Sequence, residues 1–368
     1  MTLSAKNRDL ENGISRRALS LTLIAWLPLF TIAVLLSFTS DQQILREFLS
    51  DFGIQLRLLL VIPFLIKIER TINDSFIEYI KAADDIVVNE QQSKFDKMVS
   101  NIDWLTNLYF PEIIMLILIY SLAIYGINNH EIADYVSYFV SAETGKVNAL
   151  GYYFLFVSYP IFQLLLFRWI WRWMVWAYSV LYISKLNLQL KAVNIDRMAG
   201  LTFFNFMPFK FTLIFIAVSI IIASNFGQNI LYEGVTLQEY KLDILFFVTL
   251  VPALIYSPLL IYIPHLSKVK SEGVYRLGKT ASLHNREYYK KWTGKNLPTD
   301  EKLLGNPDHS SLSDLNGGYA PVIEMTLLPI KTKMFMMSCM ILLIPFVPLV
   351  FTYYSIVDLV NILIDAVG

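Results

Sequence analysis

Seven apolar runs decide what this chain can fold into: residues 18–38, 54–68, 108–127, 150–167, 211–226, 242–264 and 334–357. Inside a bilayer the backbone finds no water. Each N–H and C=O must be satisfied within the chain, which a helix achieves and a lipid-exposed irregular segment does not. A crossing takes ~20 apolar residues. The pattern predicts an all-α polytopic membrane protein with about seven transmembrane helices and a small helical layer on one side. The run 54–68 is the weakest. Pro63 interrupts it, Arg57 lies inside it, and Lys67, Glu69 and Arg70 crowd its end. It reads as a full span or as a re-entrant segment.

Composition points the same way. Of 368 residues, 55% are hydrophobic and 16% charged, against about 25% charged in a soluble domain. Thirty basic and thirty acidic side chains cancel, so nucleic acid is not an expected partner. Cys339 is the only cysteine, which excludes an intramolecular disulfide and a multi-cysteine metal site. It lies in an apolar run and reads as an inert thiol. No small-residue cleavage site follows the first run, which therefore reads as a retained membrane helix and not a removed signal.

Cytoplasmic connections of membrane proteins collect Lys and Arg. Segments 1–17, 67–107, 168–210 and 265–333 hold four, five, six and eleven of them, whereas the alternate connections hold only Arg46, Lys146 and Lys241. This asymmetry predicts a cytoplasmic N-terminus and an outer C-terminus. It also favours counting 54–68 as a span, because removing it scrambles the alternation. The chain then divides into a cytoplasmic tail (1–17), spans one and two (18–68), a cytoplasmic helical hairpin (69–107) and spans three and four (108–167). An interfacial segment (168–210), spans five and six (211–264), a cytoplasmic helix and loop (265–333), and span seven with an outer tail (334–368) complete it.

Ile72, Phe76, Tyr79, Ala83 and Ile86 recur at helical spacing, as do Phe95, Met98, Ile102 and Leu105. They predict the two arms of the hairpin, with Asn89 and Gln92 as N-cap and capping partner. Val274, Leu277, Ala281, His284 and Tyr288 predict a third helix continuing from span six. Its apolar stripe suits association with a second copy, or packing against Phe95, Met98 and Ile102. Beyond Trp292 the residues are those of loops. The interfacial segment opens with a run from Arg168 to Trp176 that holds four of the seven tryptophans. Such rings gather at the membrane boundary, where an apolar body and a polar N–H are both accommodated.

Charges within spans are costly and usually paired. Arg57 and Asp243 both lie near the outer ends of their spans, at a depth where they could meet. Glu112 lies at the level of Arg168, Arg172 and Lys210. These charges read as structural pairs or as an ion path. Pro160, Pro252, Pro258, Pro264, Pro345 and Pro348 leave carbonyls without intrahelical partners; such helices line pathways or are simply kinked. Residues 273–280, Gly-Val-Tyr-Arg-Leu-Gly-Lys-Thr, match a nucleotide-binding loop. No buried strand precedes them and the positions fit the third helix, so no nucleotide is expected. The four histidines, His130, His265, His284 and His309, form no metal-ligand pair, and no cofactor is expected. Membrane lipids are the expected surroundings.

At residues 194–204 the chain reads Asn-Ile-Asp-Arg-Met-Ala-Gly-Leu-Thr-Phe-Phe, and at 308–315 Asp-His-Ser-Ser-Leu-Ser-Asp-Leu, followed by Met325 and Pro329. Both segments resemble a family of uncharacterised bacterial inner-membrane proteins. Its first motif runs His-Pro-Asp-Arg/Lys-Ala-Gly-Gly-Leu-Gly-Phe, and its second Asp-x-x-Ser-Leu-x-Asp-Leu. Asp196, Arg197, Gly200, Leu201 and Phe203 match; Asn194, Ile195 and Ala199 depart. The order of spans and the Arg/Trp-rich end of span four are similar too. The resemblance implies a multi-pass protein of the bacterial inner membrane and no particular reaction.

Asp196 and Arg197 could dock against the loop holding Asp308 and Asp314, as a conformational latch or as a headgroup or ligand site. Two functional classes stay open. One is an ion or small-solute pathway, channel- or transporter-like, built by a homo-oligomer. The other is a membrane-embedded enzyme or lipid-handling protein whose site gathers Asp196, Arg197, Asp308 and Asp314 at the cytoplasmic face. The sequence carries no catalytic motif for the second.

Overall fold

The computed structural model describes residues 3–39, 43–129, 136–141, 144–293 and 307–352. Among them every extended element is helical, and β pairing is limited to two isolated bridges. In chain order the helices are α1 (Leu3–Thr39), α2 (Gln43–Ser50), α3 (Phe52–Asp84), α4 (Gln92–Thr106) and α5 (Phe110–Asn128). They continue with α6 (Ala149–Ile183), α7 (Phe206–Tyr232), α8 (Lys241–Trp292), α9 (Pro307–Ile323) and α10 (Thr332–Val350). Six helical stretches are long and apolar enough to cross a membrane, and α2 with α3, bent by 58° between them, pass together as a seventh. The chain is an all-α polytopic membrane protein. His130, residues 294–306 and the end of the seventh run lie outside the described residues.

Several helices run past the boundaries that apolarity alone suggests. The weak second run lies within one continuous helix, α3, from Phe52 to Asp84. The first arm of the expected hairpin is therefore the second half of that helix. The second arm, α4, buries Phe95, Met98 and Ile102 and packs mainly on α6. No capping box forms before it. Asn89 starts a short 3-10 turn, and Gln92 donates to Asp84 instead. Span six does continue into the third helix, as one rod interrupted by a 3-10 turn at Ser257–Tyr262. The segment expected as a loop around Asp308 is the start of α9. That helix covers the stripe on α8, where Tyr319 lies against Gly278, His284 meets Ser311 and Tyr288 meets His309. The stripe is used within the chain, and by α9 in place of α4.

Helix α6 is the centre of the bundle. Its Arg/Trp-rich stretch is helical to Ile183 and faces inward. The Trp169 indole donates to the Leu65 carbonyl of α3 at 3.2 Å, Trp171 to Leu105 of α4 at 3.0 Å, and Trp173 to Ile255 of α8 at 3.3 Å. Trp176 is fully buried against Phe211 of α7. Spacings of four and seven put Trp169, Trp173 and Trp176 on one face, with Trp171 on the other side, so one helix binds four neighbours. These rings tie helices together rather than line a membrane boundary.

Elsewhere the bundle uses small residues and hydroxyls, as membrane interfaces do. Ala18, Ala25, Leu29 and Ala33 form the buried stripe of α1. Ser158 of α6 donates to the Ala25 carbonyl at 2.6 Å, and Tyr153 to Ile24 at 2.9 Å. On the side that carries the basic connections, here the basic side, Glu69 of α3 accepts from Arg172 of α6 at 3.0 Å and Arg17 of α1 at 3.4 Å.

Truncating a buried Trp costs about 3–5 kcal/mol, whereas losing one hydrogen bond costs about 1 kcal/mol. Trp176→Ala should therefore lower unfolding stability in detergent far more than Trp171→Phe, followed by helical circular dichroism. Equal losses would deny α6 its central place.

Candidate functional site

Two membrane helices carry a wide turn at the same position relative to a proline. In α3 the π-helical turn is Arg57–Val61, two residues before Pro63; in α6 it is Phe154–Ser158, two residues before Pro160. A proline ring clashes with the carbonyl four residues back and offers that carbonyl no N–H. Widening the preceding turn relieves the clash: the Ile62 N–H reaches Arg57 O and the Tyr159 N–H reaches Phe154 O, five residues back. Such turns recur at functional sites. Here both border one cavity.

The cavity measures about 940 Å³ and lies between α3, α5, α6 and α7. Its α7 wall is Asn225, Gln228, Asn229 and Tyr232, which share one helix face, with Glu233 at the rim. The α3 wall is Asp51, Gly53, Ile54 and Arg57. Gly53 sits where an added Cβ would come 3.0 Å from Asn225 Oδ1, so a bare backbone lets α3 and α7 close in. From α6 come Phe154, Leu155, Tyr159 and Gln163, and α5 supplies an apolar wall running from Met115 to Gly126. The polar groups concentrate at the end of the bundle opposite the basic side.

Arg57 is the charge that the cavity is built around. Its guanidinium lies 5.4 Å from the Phe162 ring centroid and 6.0 Å from that of Tyr159. Its Nε is buried with no hydrogen-bond partner, and it forms no ion pair among the described residues. The nearest acid, Asp51, is engaged otherwise. Its Oδ1 accepts from the Ile54 N–H at 2.9 Å and caps α3, and its Oδ2 accepts from Tyr138 Oη at 2.8 Å. Gln163 donates to Tyr159 Oη at 2.6 Å. A guanidinium with free donors at membrane depth is chemically suited to a carboxylate or phosphate, which its planar fork meets with two bonds.

The other intramembrane charges pair differently. Arg57 does not pair with Asp243, which is exposed in the first turn of α8 and is not part of the cavity. Glu112 does approach Arg168, at 3.9 Å, while Arg172 turns to Glu69 and stacks on the Trp169 ring at 4.9 Å.

On the basic side, Asp196 organises its own loop. Its carboxylate accepts from the N–H groups of Met198 at 2.9 Å, Gly200 at 3.1 Å and Thr202 at 3.2 Å. That holds Arg197 and Ala199 at φ of 59° and 55°, and Gly200 at 97°. Burial alone would push the Asp196 carboxyl up, but these backbone donors outweigh it and hold it below the ordinary carboxylate value. The loop docks, but on the segment preceding α10. Arg197 pairs with Glu324 at 2.7 Å, the Thr326 N–H donates to Arg197 O at 2.9 Å, and Lys331 Nζ donates to Asp196 O at 2.9 Å. Asp308 belongs to a separate group, accepting from Lys291 at 2.7 Å and Trp292 Nε1 at 3.1 Å, which lower its pKa. Asp314 is exposed on α9. The structure brings Asp196 and Arg197 together and leaves Asp308 and Asp314 elsewhere.

Residues 273–280 lie within an unbroken stretch of α8, so their N–H groups are helical and form no phosphate loop. Gly273 is there for packing, since a Cβ would come 2.5 Å from Ala192. Among the described residues no three His, Cys, Asp or Glu side chains converge as metal ligands. Comparison with known proteins finds no matching family model, no match among curated proteins and no match among solved structures.

Asn225, Gln228 and Asn229 are the site residues that apolarity alone passes over, because they extend a helix beyond its apolar run. Their spacing of three and four was the available signal.

Two expected outcomes follow from this geometry. Removing an unsatisfied buried donor relieves a cost of about 1–3 kcal/mol, so Arg57→Met should raise the melting temperature in detergent; a fall would make the guanidinium a structural brace. Asp196→Asn should lower it at neutral pH. Because the folded-state pKa of Asp196 is depressed, its contribution is complete above the unfolded value and is lost as pH falls through the folded one. The gap between wild type and Asp196→Asn should therefore close in acid, and a gap independent of pH would contradict the loop's dependence on the carboxylate.

Proposed function

We propose that this integral membrane protein binds an anion-bearing small molecule in the Arg57 cavity and passes it across the membrane, in the manner of a transporter. One observation carries this reading: a guanidinium at membrane depth, without an ion pair among the described residues, facing a cavity large enough for a ligand. Intramembrane charges that lack a protein partner mark ligand or ion paths. Below Arg57 the helices are packed by Leu65, Trp169 and Trp176, all buried. A cavity backed by packed helices suits alternating access better than an open channel, and the proline-linked π turns give α3 and α6 places to bend.

The proposal extends to placement. The excess of Lys and Arg in alternate connections favours a cytoplasmic basic side, so the cavity would face outward. The resemblance of residues 194–204 and 308–315 favours the bacterial inner membrane. A homo-oligomer also belongs to the proposal, since closed symmetric assemblies are common; ligand binding within one chain does not require it. The enzyme reading needs carboxylates that converge, and Asp196 and Asp308 are held by different partners.

Liposomes carrying the protein should take up at least one member of a panel of anions, from inorganic phosphate through short carboxylates to long-chain fatty acids. Arg57→Gln should reduce that uptake about tenfold, the worth of one charged hydrogen-bond pair. Uptake indifferent to Arg57 would sink the proposal. For orientation, in a Cys339→Ser background, a cysteine at Lys146 should react with an impermeant label from outside intact cells and one at Lys290 should not. Labelling of both from the same side would overturn the threading.

A further inference from the structure

We infer that the ligand of the Arg57 cavity is an amphiphile: one acyl chain carrying a single anionic group, drawn sideways from the leaflet opposite the basic side. This deepens the anion-binding reading of Arg57 and rests on it. The first ground is the gradient of polarity. Asp51, Arg57, Asn225, Gln228 and Asn229 gather at one end, whereas toward the bilayer centre α5 supplies Met115, Leu118, Ile119 and Leu122. Gln163, the polar side chain at that depth, already bonds Tyr159. A small hydrophilic anion would meet the charge and leave this wall unused. An acyl chain would cover it.

Dimensions agree with that assignment. Met115 and Gly126 both line the cavity and stand eleven residues apart on α5, which is ~16 Å along a helix. A hydrocarbon core is ~30 Å thick, so the apolar wall is about one leaflet deep. The anionic head would then sit among the polar groups of the outer half, with the chain pointing to the midplane, as in the leaflet itself.

Access supplies the third ground. Helix α5 packs on α6 and makes no extended contact with α7, although both line the cavity. Leu118 and Leu122 line it while remaining 50% and 61% exposed. The gap between α5 and α7 is therefore a lateral opening at membrane depth, bordered by apolar side chains. Asp51 and Glu233 at the polar end disfavour a second negative charge on the ligand, which is why the head carries one. A fatty carboxylate and a lysophospholipid phosphodiester share this chemistry.

The test uses the full-length protein in nanodiscs and spin-labelled stearate, with the immobilised fraction read by electron paramagnetic resonance. Stearate should bind saturably. Neutral monoacylglycerol, acetate and inorganic phosphate should fail to displace it at hundredfold excess. Displacement by lysophosphatidylglycerol assigns a phosphodiester head as acceptable, and displacement by unlabelled fatty acid alone restricts the head to a carboxylate; either outcome supports the amphiphile. Arg57→Gln should weaken stearate binding about tenfold. Arg57→Lys, which keeps the charge and loses the planar fork, should fall between and serves if the glutamine variant does not fold. Leu118→Asn, on the lipid-facing helix, should weaken stearate several-fold at unchanged melting temperature. Displacement by monoacylglycerol, or an Arg57-dependent site for acetate or phosphate with no stearate binding, overturns the amphiphile. In the latter case the solute-transport reading survives. If no anion of either kind responds to Arg57, both fall.

Discussion

A tryptophan N–H inside a membrane protein needs an acceptor that lipid cannot offer, and α6 finds three of them in three different helices. Leu65, Leu105 and Ile255 each present a carbonyl to an indole of the same nine-residue stretch. Association in lipid cannot rely on the hydrophobic effect, since a neighbouring helix is no more apolar than an acyl chain. Large rings with one directional bond each supply both contact area and register. The positions of α3, α4 and α8 follow from that stretch, and α7 is added through Trp176 against Phe211.

The cavity exists because this central helix is not uniform. Its half toward the basic side is filled by aromatic rings, whereas the opposite half widens at Phe154–Ser158, as α3 does at Arg57–Val61. Pro63 and Pro160 impose both turns through the same steric conflict. The bundle therefore splits along its axis into a packed half and an open half. Polar side chains are concentrated in the open half, where Arg57, Asp51 and the amides of α7 line one cavity. The packed half carries the Asp196 loop and its strained backbone, locked to the segment before α10. Lys331 ties that loop to the base of α10, and Thr212 and Tyr256 bond Ser338 further along it. A movement of α10 would thus be felt in α7 and α8.

Much of the fold was legible from apolar runs and their flanking charges, because a membrane asks one question of each segment and hydropathy answers it. Span six running on into an amphipathic helix was readable too, from the helical spacing of Val274, Leu277, Ala281, His284 and Tyr288. The site was only half legible. Arg57 stood out as a charge inside a span, but its partners did not. An exposed Asp243 and an engaged Asp51 look alike in a sequence, and only burial and capping geometry separate them. Polar residues at 225–229 read as the end of a helix because they interrupt an apolar run. In the fold they continue it and face a cavity, where polarity is an asset.

By itself the sequence determined the class, the placement of the long apolar helices and the alternation of basic connections, since these rest on composition over twenty-residue windows and on backbone hydrogen bonding that lipid forces inward. Tertiary structure alone decided which charges meet. The contacts that Glu69 makes with Arg17 and Arg172 join residues 52 and 103 positions apart, and local pattern carries no information at that range. It also decided that the tryptophans turn inward rather than to the membrane boundary. For Trp169, Trp171 and Trp173 a carbonyl on the adjacent helix makes that choice, whereas Trp176, whose indole N–H has no acceptor, is held by packing against Phe211.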